Sequence, residues 1–468
     1  MRLLPADLPE RAALAMEIHA RPPEPLLAPG RASYIAVLVD ADERERELAH
    51  LGRLCRQHAQ LGPGADAVHW SGTLGTLRLK WERHGEFSSY TLLMPSAGPV
   101  PFAETAAGEL PSGWLAGVPG LTVYAGHAEL LSPAEGQELG DLLRQSFGDR
   151  TVVGSALGDG AGLVYSDFLI HADGFGRLLM IDQGFTPLVA GRMLQRLFEI
   201  EAYRMMALLA FPLARRLSPR LLAIERSLAS LADSIAAGPT GPTGPAGQAE
   251  QGRHARLASS ATPVTPVNQP GRARESAKDE QLLQELTRLA AEIESGLAAS
   301  QFRFAACRAY AELVRTRIDE LRERRLTGLQ TIDEFMSRRF TPAVATCATV
   351  SRRMHDLSER VAQASHLLST RVDIVREQQN LALLASMDRR AKLQLRLQQT
   401  VEGLSIAAIV YYMAGVVGYV AKGGRSLGLK LDVDLFVGLS VPLLALLAFN
   451  AVRRARRHAS EQDLKEGH

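Results

Sequence analysis

The chain has 468 residues, with 53 Lys plus Arg against 51 Asp plus Glu, a formal charge of +2. That length allows two to four folding units of roughly 100–200 residues each. The near balance of charge excludes both a nucleic-acid binder that works through overall basicity and a highly acidic disordered chain. At 46% hydrophobic and 22% charged residues the chain can bury sizeable cores, and 6% aromatics suits long helices. Cys55, Cys307 and Cys347 form no CxxC motif, and an odd count fits a reducing compartment.

Met1–Ala20 is charged and lacks the apolar core of a signal peptide. His19 and Arg21, in His19-Ala-Arg-Pro-Pro23, set an imidazole beside a guanidinium and are cytoplasmic binding candidates for an anion or carboxylate; the alternative is a docked N-terminal segment. Residues 1–190 read as an α+β domain. Ser33–Leu38 is a strand candidate, followed by a helix over about Asp42–Gln60. Leu77–Trp81 and Phe87–Met94 flank a turn-like segment and predict a hairpin. Leu121–Leu131, Thr151–Ala156, Leu163–His171 and Arg177–Asp182 are further strand candidates, with a helix at Pro133–Phe147. Trp81-Glu-Arg-His84 with Glu86 is a candidate binding loop, and His171 with Asp173 a metal pair lacking a third ligand. The glycines of Gly154–Gly162 match no phosphate-binding pattern. No nucleophile–base arrangement emerges, so neither an enzyme, a cofactor nor a metal is expected.

From Arg192 the period turns helical. Leu217, Leu221, Ile224, Leu228, Leu231 and Ile235 step by four and three, giving a helix over 191–235. Met205–Ala214 contains Pro212 and reads as a buried core helix rather than a membrane span. Residues 236–278 form a linker with three Gly-Pro-X triplets, too few for collagen. A helical stalk over 279–403 follows, with seams at Ala311, Val314, Ile318 and Leu321 and at Val350, Met354, Leu357, Val361, Ala364, Leu368, Val372 and Val375. No Pro or Gly interrupts Ala343–Glu402, so one helix running on into the next segment is expected.

Leu404–Ala421 and Leu435–Val452 are each 18 residues without a charge, against about 17–25 for a spanning helix. Arginines precede the first and follow the second, in the tail 453–468; positive-inside reasoning puts both termini in the cytoplasm and the 422–434 loop outside. The expected architecture is thus an α+β cytoplasmic domain, long antiparallel or coiled-coil helices, and a C-terminal two-helix transmembrane hairpin over 404–452.

On the first apolar segment Glu402, Ser405, Ala408, Tyr412, Gly415, Tyr419 and Lys422 recur every three or four residues, a polar or small stripe. In an oligomer such a stripe lines a pore, with Asp432 and Asp434 as outer-mouth candidates. A Glu402 ring gathers cations, whereas a Lys422 ring repels them unless Lys422 snorkels to lipid phosphates. The expected partners are the bilayer, further copies of the chain and an inorganic ion, with no nucleic acid.

Three segments carry a sequence resemblance: Glu17-Ile-His-Ala-Arg-Pro-Pro23, Trp81-Glu-Arg-His-Gly-Glu-Phe87 and Arg396-Leu-Gln-Gln-Thr-Val-Glu-Gly-Leu-Ser405. Through them the chain resembles a bacterial family of uncharacterised membrane-anchored proteins known only as a domain of unknown function. The order of elements also resembles the CorA magnesium channels, homopentamers whose first span lines the pore and ends in Gly-Met-Asn. Here the matching stretch is Gly415-Val-Val-Gly-Tyr-Val-Ala-Lys422, where Tyr419 and Val420 stand for Met and Asn. The resemblance implies a divergent ion channel or transporter; the alternative is a membrane-anchored interaction or sensory module without conduction.

Overall fold

The computed structural model describes residues 8–11, 22–96, 98, 100–132, 138–236, 269–426 and 433–463. It divides into two compact units, one of residues 1–259 and 281–366, the other of 260–280 and 367–468.

The first unit is built on a nine-stranded sheet. Its strands are β1 (Gly30–Leu38), β2 (His69–Leu74), β3 (Leu77–Arg83), β4 (Phe87–Pro95), β5 (Leu121–Leu131), β6 (Val153–Leu157), β7 (Gly162–Ser166), β8 (Gly176–Asp182) and β9 (Arg324–Arg325). Their order is β2-β3-β4-β1-β5-β8-β7-β6-β9. Every pair is antiparallel except β5 with β8, so the sheet is mixed. The parallel pair requires a crossover, which residues 132–175 supply.

Both faces of the sheet are covered, which explains why β1 is buried nearly throughout instead of alternating. Helix α1 (Arg44–Gln57) lays Leu51, Leu54 and Cys55 against Ile35, Val37, Leu79, Trp81 and Leu92. Helix α2 (Leu139–Phe147) buries Leu142 and Phe147 with Phe102, Tyr165 and Leu179. Helix α3 (Pro187–Leu208) brings Phe198 onto Tyr34, the rings stacked at 4.9 Å. Residues 24–26 cross α3 so closely that a Cβ on Gly191 would lie 1.8 Å from the Glu24 carbonyl oxygen.

Beyond α3 run α4 (Ala210–Ala236), α5 (Gln269–Leu321), α6 (Ile332–Arg339), α7 (Thr341–Ser426) and α8 (Val433–Asp463). The seams read from the sequence are buried: Leu221, Ile224 and Leu228 on α4, Val314 and Leu321 on α5, Met354, Leu357 and Val361 on α7. Within the first unit, α5 and α7 run antiparallel. Ser300 Oγ lies 3.8 Å from Met354 Sδ, and Ser358 Oγ donates to Glu294 at 2.5 Å. Arg353 holds Glu225 of α4 at 2.7 Å. Arg196 pairs with Glu320 at 2.9 Å and Arg317 with Glu199, joining α3 to α5.

Several expectations shift. The segment read as one helix over 191–235 is two, α3 and α4, meeting at Leu209. The expected linker 236–278 is already helical from Gln269, and its triplets lie outside the described residues. The stretch read as a helical stalk is interrupted: after α5 the chain returns to the sheet as β9, pairing with β6, before α6 caps itself through Thr331 and Glu334. Strand β7 stops at Ser166, not His171, because Asp167 turns inward and Phe168 takes a φ of 53°. Strand β2 was not anticipated: His69–Leu74 holds Gly and Ser among its apolar residues, and three of its six positions are exposed. Helix α8 continues to Asp463, into the expected tail.

Candidate functional site

Among the described residues the only helix long and apolar enough to cross a membrane is the one containing α7; its most apolar 18-residue window has a mean hydropathy of 1.8 and is 6% buried. A shorter apolar helix, Val437–Ala451, lies in α8. Val437–Ala451 belongs to the second unit, as does α7 from Leu367 onward. Within 404–421 the residues partly or fully covered are Ile406, Val410, Ala414, Val417, Gly418 and Ala421. They mark the side toward α8, since a Cβ on Gly418 would lie 3.5 Å from Val437 Cγ2. Val437, Ser440, Leu444, Ala445 and Ala448 form the matching face of α8.

The polar stripe occupies another side. Ser405, Ala408, Tyr412, Gly415, Tyr419 and Lys422 are all exposed. At 100° per residue their mean direction is about 160° from that of the covered face. Nothing lies within 4 Å of a Cβ built on Gly415. Tyr412 is edge-on to Tyr411, with centroids 5.9 Å apart. Ser405 Oγ donates to the Val401 carbonyl at 2.9 Å, which satisfies the hydroxyl within its own helix. Glu402 and Asp434 fall in α7 and α8, but their side chains lie outside the described residues, as do Asp432, His19 and Arg21 entirely.

Just before this segment α7 stands uncovered. Every residue from Arg376 to Val401 is exposed, including Leu381, Leu384, Met387, Leu395 and Leu397. Upstream, Arg371 pairs with Asp279 at 3.2 Å and Arg376 with Glu280 at 2.9 Å, the last ion pairs that tie α7 to α5 in this unit among the described residues. A single helix turn has little stability in water without tertiary partners. Some 26 consecutive exposed residues carrying large apolar side chains therefore call for a covering surface.

The sheet unit holds groups of catalytic type among its described residues, and several of them contact one another or their neighbours within the fold. Ser33 Oγ and His127 Nδ1 share a 2.8 Å hydrogen bond, and the Ala107 N–H donates to the same oxygen at 3.0 Å. Both side chains are buried, and His127 stacks on Phe175 at 3.9 Å. Burial holds His127 down to about 4, with Asp173 opposing and Arg177 assisting, so the imidazole is neutral at pH 7. The contact joins facing positions of β1 and β5 within the sheet.

His171 pairs with Asp167 at 3.0 Å rather than with Asp173, and Arg150 holds the same Asp167 oxygen at 3.0 Å. Asp173 instead accepts the Phe175 N–H at 3.0 Å. The expected metal pair is thus dissolved, and no group of three or more metal-ligating side chains occurs among the described residues. The candidate binding loop is likewise built in. Trp81 is buried and donates to Glu47 at 2.9 Å; Lys80 and Glu82 form a buried pair at 3.0 Å; Glu86 holds Arg303 at 2.5 Å. Gly154–Gly162 forms the β6–β7 hairpin, where Asp159 binds Arg322 at 2.9 Å.

One pairing had no sequence signal. Cys307 of α5 and Cys347 of α7 are both buried and share a thiol hydrogen bond, which lowers the first thiol and raises the second. They are separated by 40 residues of chain that folds back, so spacing alone does not reveal them.

A profile of the family described as protein of unknown function (DUF3422) matches residues 6–250 and 245–459. No curated protein and no solved structure matches the chain. Together the two matched segments run almost the full length of the sequence, and the chain belongs to the DUF3422 family.

Proposed function

We propose that the protein is a homo-oligomeric, multi-pass protein of the bacterial inner membrane, with both termini cytoplasmic, and that its 404–421 segments surround a path for an inorganic ion in a divergent CorA-like manner. The observation that carries this reading is the placement of the stripe. Ser405, Tyr412, Gly415, Tyr419 and Lys422 stand on the side of α7 turned away from α8, the side free to meet other copies. Polar groups in a span turn from lipid toward a bundle interior or water, which fits that assignment. The element order supports it as well: a sheet domain, long helices, an 86-residue helix ending in an apolar segment, and a second apolar helix. The uncovered stretch before the apolar segment supplies a surface through which copies would associate.

A second reading, an anchored interaction module without conduction, draws on two observations. Ser405 is satisfied by its own helix, and Lys422 stands where a lysine snorkels to lipid phosphates. Native mass spectrometry of the purified full chain separates the readings. Five copies support the channel, whereas a monomer or dimer cannot enclose a path with single helices and leaves the anchor.

A further inference from the structure

Between α4 and α5 in the first unit lies a groove of about 630 Å³ whose floor reaches Met354 of α7. That size falls within the roughly 300–1,000 Å³ of small-molecule sites. Its walls are apolar, formed by Leu217, Leu221 and Ile224 of α4 and Ile293 of α5. It stays open because α5 presents Ser295, Gly296 and Ala299 to it, where larger side chains would fill the space. Even a Cβ on Gly296 would come to 3.2 Å from Met354 Cε.

Two arginines, Arg216 and Arg220, line the same groove one helical turn apart. Both are exposed, and neither makes an ion pair or hydrogen bond among the described residues. Their neighbours differ: Arg353 holds Glu225 at 2.7 Å, and Arg288 holds Glu285 at 2.7 Å. Glu292, the one carboxylate in the lining, has Arg288 at 4.0 Å. The groove is therefore an apolar slot with two guanidinium groups on its edge that have no partner among the described residues.

We propose that this groove binds a single-chain anionic amphiphile, a long-chain fatty carboxylate, with its headgroup on Arg216 and Arg220 and its chain along Leu217, Leu221 and Ile293. The charge complementarity selects the ligand. Guanidinium forks match the two oxygens of a carboxylate, and burial of the methylene chain supplies the apolar part of the affinity. A slot whose two arginines without a partner among the described residues both lie on α4 fits a molecule with one charged end. The assignment stands independently of conduction.

The test uses the full-length protein in nanodiscs, with a diazirine-bearing palmitate as probe and peptide mapping by mass spectrometry. The expected result is saturable labelling within 213–224 and 292–299, displaced by palmitate at least tenfold better than by hexadecanol, which has the same chain without the charge. The double variant Arg216→Gln/Arg220→Gln, at exposed positions, should cut that labelling at least tenfold while labelling elsewhere in the chain is unchanged. Ala299→Leu, which narrows the slot and keeps the arginines, should weaken it as well. Equal displacement by hexadecanol, displacement by phosphatidylglycerol vesicles alone, unchanged labelling in the double variant, or a cross-link between two copies through these peptides would overturn the proposal.

Discussion

Gly415→Leu distinguishes a stripe that meets lipid from one that meets another copy. Within one chain the substitution meets nothing: no atom lies within 4 Å of a Cβ at this position, and the flanking stripe residues are exposed. In lipid a leucine is favourable by about 0.3–0.6 kcal/mol, so a lipid-facing Gly415 predicts unchanged or slightly better insertion. In the proposed oligomer this side of α7 surrounds the ion path, where the copies converge on one another, and a bulky insertion into such a packed contact costs about 1–3 kcal/mol. At 1.4 kcal/mol per factor of ten, each contact weakens roughly 5- to 150-fold. Gly418→Leu is the control, because its Cβ already stands 3.5 Å from Val437 Cγ2 and further atoms must displace α8 within the same chain. The assay is native mass spectrometry of the parent and both variants over a dilution series. The expected outcome for Gly415→Leu is dissociation at concentrations where the parent stays assembled. Identical subunit distributions for the parent and Gly415→Leu would refute the reasoning.

Three predictions concern the sheet unit, whose unfolding is read from tryptophan fluorescence because Trp70, Trp81 and Trp114 all lie in it. His127 is held down to about 4 when folded against an ordinary 6.5, so between these pH values the unfolded chain takes up a proton that the folded chain refuses. Stability is full above 6.5 and falls as pH drops toward 4, by about 3 kcal/mol in all; His127→Gln should flatten that slope in the urea midpoint, and an unchanged slope would contradict the assignment. Glu47→Leu leaves Trp81 Nε1–H and Tyr90 O–H without their shared acceptor, at 2.9 and 2.8 Å, and should cost about 2–5 kcal/mol, with Glu47→Gln costing less. Equal midpoints for the two variants would show that the carboxylate is not the structural acceptor. Gly191→Ala places a Cβ 1.8 Å from the Glu24 carbonyl oxygen and should destabilise by about 1–3 kcal/mol through displacement of residues 24–26; a parent-like midpoint would show that the crossing segment yields freely.

The helical half of the fold was the more legible from sequence, since its periodicity is carried by large apolar residues. Leu221, Ile224 and Leu228, and Met354, Leu357 and Val361, are buried where their spacing places them. The break at Leu209 was not read even though Pro212 marks it: its ring nitrogen has no hydrogen to give the Leu208 carbonyl four residues back, but the helical period on both sides masked the stop. Strand β9 was hidden for a different reason. It is two arginines long, and its register against Ser155 and Ala156 is a tertiary fact with no local pattern. In the sheet, the strands with apolar cores were legible and β2 was not, since Gly72 occupies the middle of its three covered positions (Trp70, Gly72 and Leu74) and breaks the apolar alternation.

The candidate site divides in the same way. The stripe on α7 follows from helical spacing, and the structure sets its described members on one exposed side. Which side α8 would take was not legible, because it depends on where Gly418 meets Val437. His171 illustrates the opposite case. Its proximity in sequence to Asp173 suggested a pair, yet the turn at Phe168 delivers it to Asp167. The groove beneath Arg216 and Arg220 arises from small residues on one helix facing apolar residues on another, a juxtaposition that only the folded chain creates.

Ion flux through the full-length protein reconstituted in sealed vesicles tests the central claim most directly. The account predicts flux down an imposed gradient by the parent, with Glu402→Ala and Tyr412→Ala each changing its rate or ion preference, since both positions lie on the proposed path. A parent that carries neither cations nor chloride while assembled and inserted, or two variants indistinguishable from it, would contradict the account and leave the apolar helices as an anchor.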